Sequence, residues 1–194
     1  MSTRDDKTTF SVVMTVHDQE QEIENELPRL LEQQYEDFEV IVVDDHSSDS
    51  TADVLNRLKG EHPQLYTTFL PKYQFRQQRR RLAFSIGVKA ARKSWLVFTD
   101  PTSTPPSETW LEELAEHTKG GTVLILGYVD RKNNDVKLTT FDDIESAASI
   151  ISKAEHWREG TGHHRWMHHL QKATNYDFIA VRTEYGHEAL RLFA

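Results

Sequence analysis

Short apolar runs alternate with amphipathic stretches along residues 10–126, and this alternation predicts the fold class. The apolar runs are rich in β-branched residues, which is typical of strands buried on both faces. They predict strands at 10–16, 38–43, 65–70, 95–99 and 122–126. Apolar residues at spacings of three and four predict helices between them, at 19–34, 51–60, 79–92 and 107–118. The alternation predicts an α/β fold with a mostly parallel central sheet flanked by helices.

The remaining third of the chain has weaker patterns. Residues 142–158 predict a further helix, and residues 178–181 predict a short strand. A histidine-rich stretch lies between them at 163–172, in which His164 and His168 are four residues apart. That spacing can hold a metal on one helix face, but a polar surface helix is the simpler interpretation.

Charge is distributed unevenly along the chain. The 194 residues include 31 acidic and 23 basic side chains, which gives a formal net charge of −8. Residues 62–99 nevertheless contain eight Lys/Arg residues and no Asp or Glu. Because the protein as a whole is acidic, this basic segment predicts a local anionic ligand and not a nucleic-acid partner.

Several classes of function are excluded by what the sequence lacks. There is no cysteine, which excludes disulfides, thiolate metal sites and cysteine nucleophiles. No apolar run reaches the roughly 18–20 residues of a membrane span. The first residues, 1–9, are polar and lack the apolar core of a signal peptide. The glycine-rich dinucleotide and P-loop motifs are absent, and so is the Gly-x-Ser-x-Gly motif of esterases.

Polar residues follow three of the predicted strands, at the edge where open α/β sheets bind ligands. The three clusters are Thr15/His17/Asp18, Asp44/Asp45/His46 and Asp100/Thr102/Ser103. Carboxylates at two strand ends are poorly suited to a bare phosphate. They suit contacts to a base or a ribose, or a cation that bridges to phosphate.

Three segments resemble the opening of the family-two glycosyltransferases, the inverting enzymes with the A-type nucleotide-sugar fold. They are residues 12–18 (VVMTVHD), 31–45 (LEQQYEDFEVIVVDD) and 47–51 (SSDST). A strand that ends in two aspartates and leads through a Ser/Asp-rich cap into a helix is the base-binding signature of that family. The likeness continues through 87–91, 95–100, Pro105 and Trp110-Leu111, and it covers about residues 10–128.

The resemblance implies a single A-type domain and roles for the matching residues. The implied nucleotide-binding residues are Thr15, Val16, His17, Asp44, Asp45, Arg80, Arg81 and Lys89. Among them, Thr15 and Val16 would line the base pocket and Asp45 would accept a hydrogen bond from the base. Asp44 would support the loop or the ribose, and the three basic residues would face the diphosphate. Asp100 and Thr102 occupy the metal motif, which implies a divalent cation, Mg²⁺ or Mn²⁺.

Two departures from the family pattern leave an alternative open. Thr102 replaces the second Asp of the metal motif, and a single carboxylate should hold Mg²⁺ or Mn²⁺ weakly. No Glu-Asp pair follows to supply a recognisable catalytic base, and nothing selects among the later acids Asp142, Asp143, Glu145, Glu155 and Glu159. The alternative to an active enzyme is a catalytically impaired or inactive relative that acts as a nucleotide-sugar-binding or assembly module.

These observations predict how the chain is organised and what it does. We expect a polar tail at 1–9, a nucleotide-sugar-binding domain at 10–128 and a short, divergent acceptor-side region of the same domain at 129–194. The expected activity is a hexosyltransferase of polysaccharide biosynthesis that uses a nucleoside-diphosphate sugar, a UDP-sugar first, and a glycan or lipid-linked acceptor. The expected location is the cytoplasm, either free or as a peripheral protein at the inner face of the membrane.

Overall fold

The structure is a computed structural model, and it describes residues 7–70, 79–103, 107–130, 132, 135–149 and 177–193. Within these residues, seven strands form one sheet: β1 (Phe10–Val16), β2 (Phe38–Asp44), β3 (Leu65–Phe69), β4 (Trp95–Thr99), β5 (Leu124–Asp130), β6 (Asp135–Phe141) and β7 (Phe178–Arg182). The helices are α1 (Glu20–Leu31), α2 (Thr51–Glu61), α3 (Arg79–Ala90), α4 (Trp110–Glu116), α5 (144–149) and α6 (Gly186–Phe193). Short 3-10 turns occupy Pro101–Ser103 and Thr183–Tyr185.

The sheet has the strand order β3-β2-β1-β4-β7-β5-β6. β1 pairs in parallel with β2 and β4, and β2 pairs in parallel with β3. β7 runs antiparallel to both β4 and β5, so β5 points in the same direction as the first four strands. β6 runs antiparallel to β5 at the edge of the sheet. The mostly parallel α/β sheet predicted from the sequence is therefore confirmed.

Helices cover both faces of the sheet, which explains the continuous apolar runs in the central strands. On one face, Met14 of β1 packs in a buried cluster with residues of α1, α2 and α4, among them Leu27 and Leu55. On the other face, Val13 belongs to a second cluster that includes residues of α3, α5 and α6. Successive strand side chains point to opposite faces, so one apolar strand supplies both clusters.

Several elements differ from the sequence prediction. The fifth strand begins at Leu124 and runs to Asp130, and α4 is shorter than the predicted helix at 107–118. The sequence does not predict β6 or α6. Every residue of β6 is exposed or only partly buried, which weakens its apolar signal. Of the helix predicted at 142–158, the structure describes residues 144–149 as helical. Residues 150–158 and the histidine-rich stretch 163–172 lie outside the described residues.

Hydrogen bonds join the β1–α1 loop to the β2–α2 loop. The Oδ1 atom of Asp18 accepts hydrogen bonds from the backbone N and the Oγ atom of Ser48, at 2.6 and 3.1 Å. In return, the backbone N of Asp18 donates to the Oγ atom of Ser47 at 3.0 Å. The bond from the Ser48 backbone is the main reason that the pKa of Asp18 lies below its usual range. Asp18 has φ 50°, a left-handed conformation that these bonds stabilise.

The same contacts continue into the first turns of α1 and α2. The carboxylate of Asp49 accepts from the backbone N of Glu20 at 3.1 Å and from the backbone N and Oγ1 of Thr51 at 3.0 and 2.6 Å. Thr51 Oγ1 in turn accepts from the backbone N of Gln19 at 3.1 Å. The N-cap residue of α1, Gln19, makes no capping bond of its own. The start of α1 is therefore satisfied by side chains of the other loop, which fixes the two loops relative to each other.

Gly127 in β5 leaves room for the ring of Phe178, its partner across β5 and β7, and its replacement should destabilise the fold. A Cβ atom at Gly127 would lie 1.9 Å from Cζ of Phe178, whose buried ring packs edge-on against Trp110 with centroids 4.9 Å apart. Gly127→Ala should lower the free energy of unfolding by about 1–3 kcal/mol, measured by urea denaturation. The control Gly60→Ala in α2, where nothing lies within 4 Å, should raise it by about 0.5–1 kcal/mol. Equal stability of the Gly127 variant and the wild type would contradict this packing.

The carboxylate of Asp49 should make the stability of the loops depend on pH. Its hydrogen bond from the Thr51 hydroxyl is the main reason that its pKa lies below the usual 3.8. The ionised form is favoured by folding, so its contribution is present above about pH 4 and is lost as the pH falls through the lowered pKa. Asp49→Asn should therefore reduce stability at pH 7, and the difference from the wild type should shrink between pH 4 and pH 2.

Urea denaturation across that pH range measures the difference. Asp53→Asn, at an exposed position in the first turn of the adjoining helix α2, is the matched control. A difference between the Asp49 variant and the wild type that stays constant from pH 7 to pH 2 would show that the charge of Asp49 has no role in joining the loops.

Candidate functional site

The ends of β2, β1 and β4 meet at one edge of the sheet, here named the carboxyl edge because β1 to β4 all end there. Val16 pairs with Asp44 across β1 and β2, and Met14 pairs with Thr99 across β1 and β4. Neighbouring strands are about 4.8 Å apart, so the ends of β2 and β4 lie roughly 10 Å from each other. The register thus brings together the strand-end residues that the sequence predicted as a nucleotide site.

Asp45 is fixed against β1 by its backbone. Its N donates to the carbonyl oxygen of Val16 at 2.7 Å, and its own carbonyl oxygen accepts from Nδ1 of His17 at 2.8 Å. A backbone carbonyl can only accept, so this contact requires the proton of His17 to reside on Nδ1. Asp45 and Thr15 are half-buried, Val16 is buried, and the ring of His17 is exposed. These four predicted residues therefore line one part of the carboxyl edge.

Asp44 has a structural role in the turn that follows β2. It is only 9% exposed, and its Oδ1 atom accepts from the backbone N and the Oγ atom of Ser47, at 2.9 and 2.6 Å. These two bonds close the turn around His46, which has φ 60°. Of the two roles that the sequence left open for Asp44, the observed bonds correspond to support of the loop.

α3 lies across the face of β1 and β2, and its direction decides which of its basic residues reach the site. Its C-terminal end leads to the amino ends of these strands, where the backbone N of Arg92 donates to Glu39 Oε1 at 2.7 Å and that of Lys93 to Ser11 Oγ at 3.2 Å. The first turn of α3, with Arg80 and Arg81, therefore lies toward the carboxyl edge.

The structure does not bring Lys89 to that edge. Lys89 occupies the last turn of α3, eight residues after Arg81, which corresponds to about 12 Å along the helix axis. Arg81 has an exposed side chain, whereas the side chain of Arg80 lies outside the described residues. The first turn of α3 contains no acidic residue. Arg81 and the positive end of the helix dipole therefore favour an anion at the same place.

Asp100 follows β4, and Thr102 acts on it as a hydrogen-bond donor. The backbone N and the Oγ1 atom of Thr102 donate to Asp100 Oδ1, at 2.9 and 2.6 Å. Among the described residues, no group of three His, Cys, Asp or Glu side chains could hold a metal ion. Mg²⁺ and Mn²⁺ are commonly held by one or two carboxylates together with substrate phosphates. Asp100 fits a cation of that kind, one that shares its ligands with a diphosphate.

Of the later acids predicted as alternatives for a base, the three that the structure describes make no observed contact with the site. Asp143 accepts from the backbone N and the Oγ of Ser146, both at 2.7 Å, and so begins α5. The hydroxyl bond is the main cause that lowers the pKa of Asp143. Asp142 and Glu145 are exposed, and Glu155 and Glu159 lie outside the described residues. The catalytic base stays unassigned.

Sequence reasoning missed a buried carboxylate next to β7. Asp177 is 8% exposed, and its Oδ2 atom accepts from the backbone N of Val129 at 2.7 Å. Its burial follows from the insertion of β7 between β4 and β5, which no local pattern in the sequence reveals. The antiparallel register, with Phe98 opposite Ile179, places Asp177 across from Asp100 at the carboxyl edge.

The described part of the chain contains no helix with both the length and the apolar character needed to cross a bilayer.

Several solved glycosyltransferase structures have the same fold. The mannosyltransferase PcManGT from Pyrobaculum calidifontis, in complex with GDP-Man and Mn²⁺, matches with a TM-score of 0.55 and 23% identity over 66% of this chain and 37% of that chain. The glucosyl-3-phosphoglycerate synthase of M. tuberculosis matches with a TM-score of 0.53 and 17% identity over 91% of this chain and 58% of that chain. S. aureus TarS, in complex with UDP-GlcNAc, matches with a TM-score of 0.51 and 23% identity over 60% of this chain and 33% of that chain.

These matches establish the A-type glycosyltransferase fold. The chain spans less than two thirds of the length of each of the three proteins. No curated protein matches the sequence. The family model for glycosyl transferase family 2 matches residues 11–193, which is nearly the whole chain. The chain therefore belongs to glycosyl transferase family 2.

Proposed function

We propose that this protein binds a nucleoside-diphosphate sugar at the carboxyl edge and transfers the sugar to a hydroxyl group of a glycan or lipid-linked acceptor. The observation that carries the proposal is the fixed backbone of Asp45 at the end of β2, about 10 Å from Asp100 at the end of β4. This separation suits a ligand with a base at one end and a diphosphate at the other.

The base is proposed to bind next to β1 and β2. The carboxylate of Asp45 accepts a hydrogen bond from an N–H group of the base, while Thr15 and Val16 form the wall of the pocket. Because both backbone bonds of Asp45 are already made within the protein, its backbone is held in place before the ligand arrives. A UDP-sugar is the donor proposed first, and the complexes of TarS with UDP-GlcNAc and of PcManGT with GDP-Man support a nucleotide sugar in general.

The diphosphate is proposed to lie between the first turn of α3 and Asp100. Arg81, together with Arg80, places positive charge where the phosphates gain negative charge as the sugar departs. A divalent cation held by Asp100 would supply further positive charge to the departing diphosphate. The sugar is a hexose in this proposal, and the reaction belongs to polysaccharide biosynthesis in the cytoplasm, with the protein either free or at the inner face of the membrane.

The second candidate function is a nucleotide-sugar-binding or assembly module without catalysis. It is favoured by the contact of Thr102 with Asp100. Thr102 donates hydrogen bonds to the Asp100 carboxylate, whereas an acid at position 102 would help to hold a cation. Release of free sugar from UDP-glucose, UDP-GlcNAc or GDP-mannose in the presence of Mn²⁺, measured by chromatography, would exclude this candidate. Saturable nucleotide binding without any turnover would favour it.

Removal of the charge of Asp45 should weaken nucleotide binding. UDP or GDP should raise the melting temperature of the wild type, because a ligand that binds only the folded state stabilises it. Asp45→Asn should raise the dissociation constant of the preferred nucleotide by about tenfold or more, since hydrogen bonds to charged groups contribute about 1.5–3 kcal/mol. Isothermal titration calorimetry gives both constants. The control is Asp53→Asn on the exposed side of α2, and an equal effect of the two changes would refute the assignment of Asp45.

The arginines at the start of α3 should discriminate between a nucleoside diphosphate and a nucleoside. The double replacement Arg80→Ala and Arg81→Ala should weaken UDP binding by at least about tenfold and leave uridine binding nearly unchanged. Lys89→Ala removes the same charge type from the opposite end of the same helix and should change neither constant. Fluorescence competition with both ligands measures the difference. Equal losses for UDP and uridine would contradict a role in diphosphate binding.

A further inference from the structure

A groove lies between α4 and the edge strand β6, and none of its lining residues belongs to the candidate site. Its volume is about 330 Å³. The helix contributes Trp110, Glu113, Leu114 and Glu116 to the lining, and the strand contributes Val136 and Leu138. A volume of this size lies within the range of ligand-binding pockets, so the groove has room for side chains of a partner.

β6 presents one edge of its backbone beside this groove. It is the last strand of the sheet in the part of the chain that the structure describes, and β5 is the strand with which it pairs there. Its seven residues include no proline, and all of them are exposed or partly buried. An edge strand of this kind offers backbone N–H and C=O groups with which an additional strand can pair.

The side chains of β6 alternate between the groove and the opposite face. Val136 and Leu138 line the groove, are partly buried and pack against the core cluster to which α4 contributes. The residues that alternate with them, Asp135, Lys137 and Thr139, are exposed. A strand added to β6 would therefore place every second side chain over the groove, next to Val136 and Leu138.

The α4 side of the groove is acidic. Glu113 and Glu116 are exposed, and the helix contains three glutamates and no basic residue. Glu113 accepts a hydrogen bond from the hydroxyl of Thr109 at 3.1 Å, and Glu116 forms an exposed ion pair with Lys119 at 2.6 Å. Exposed ion pairs contribute little free energy, so both carboxylates are available to a cation of a partner. The groove thus joins an apolar wall on β6 to an acidic wall on α4.

We infer that this groove binds an extended segment of a partner protein that carries Lys or Arg at alternate positions and adds to β6 as a further strand. Lys and Arg combine an aliphatic stem with a cationic head. The stems cover Val136 and Leu138, while the heads reach Glu113 and Glu116. The inference concerns a surface outside the nucleotide site and does not depend on the proposed function.

The alternation follows from the geometry of the two walls. Side chains on one face of a strand recur every second residue, which is about 6.7 Å. Glu113 and Glu116 are three residues apart on one helix, and Cβ atoms at that spacing are about 5–6 Å apart. Basic residues at alternate strand positions therefore match the separation of the two carboxylates.

Charge favours such a partner over a second copy of this chain. In a symmetric pair of copies joined through β6, the same surface would meet itself. The glutamates of both α4 helices would then lie at one interface, where like charges repel each other. A basic partner replaces this repulsion with attraction.

Binding of labelled synthetic peptides to the whole chain tests the inference, measured by fluorescence anisotropy. The probe is Thr-Lys-Thr-Lys-Thr-Lys-Thr, and the matched control Thr-Thr-Lys-Lys-Lys-Thr-Thr has the same composition without the alternation. The probe should bind saturably and about fivefold or more tighter than the control. Two further peptides carry methyl groups on the amide nitrogens of either all Lys or all Thr residues. At least one of them should lose binding, because alternate N–H groups of a strand point to the same edge.

A pair of charge variants locates the binding surface. Glu113→Gln combined with Glu116→Gln should weaken binding of the probe by about three- to tenfold. Glu22→Gln combined with Asp53→Asn removes the same charge from exposed positions on α1 and α2 and should leave the affinity unchanged.

A pair of variants within β6 tests the apolar wall. Leu138→Thr should weaken binding of the probe by about threefold or more, because it removes apolar surface that the stems would cover. Lys137→Thr changes the neighbouring residue, which points to the opposite face, and should not weaken binding. Melting temperatures establish that each variant is folded, and the glutamate variants keep the test valid if Leu138→Thr does not fold.

Each alternative outcome overturns the inference. Equal affinity of the probe and its control would show unspecific attraction of charge, and full binding by both methylated peptides would exclude strand addition. Equal affinity of the two charge variants would exclude the groove as the binding surface. A dimer in analytical ultracentrifugation that Leu138→Thr dissociates would identify a second copy of this chain as the occupant.

Discussion

The candidate site depends on the parallel pairing of β1 with a neighbour on each side. The pairs Val16–Asp44 and Met14–Thr99 fix how far the ends of β2 and β4 project, and they bring Asp45 and Asp100 to the same edge. A register shift of one residue in either pair would exchange the side chains that the two differently packed faces bury and would draw a strand-end aspartate toward the core. The burial of both faces therefore determines the position of the polar residues that follow the strands.

The loops beyond the strands are held by bonds that cross between them. Asp18 and Asp49 accept backbone N–H groups from the opposite loop, so neither loop can move without exposing unsatisfied amides of the other. This arrangement has a consequence for ligand binding. Because the protein has already ordered these loops, a nucleotide that binds to them loses less of its binding free energy to loop ordering than it would on flexible loops.

The sequence predicts most of the parallel half of the fold, because strands that are buried on both faces appear in the sequence as continuous apolar runs. It fails where structure depends on distant contacts. The half-exposed strand β6 has a weak apolar pattern. The insertion of β7 beside β4, which buries Asp177, cannot be predicted from the pattern of neighbouring residues in the sequence. Lys89 illustrates the limit within the site. The sequence predicts its helix, but Arg81 and Lys89 lie about 12 Å apart along the helix axis, so the two side chains are not placed to contact the same diphosphate.

The charge around the carboxyl edge is itself uneven. The first turn of α3 contains Arg81 and no acidic residue, whereas Asp45 and Asp100 follow β2 and β4. A nucleoside diphosphate carries its negative charge at the phosphates, and its base is neutral. In the proposed complex the phosphates would therefore lie toward α3 and the base toward Asp45, so the charge pattern of the fold favours one direction of binding.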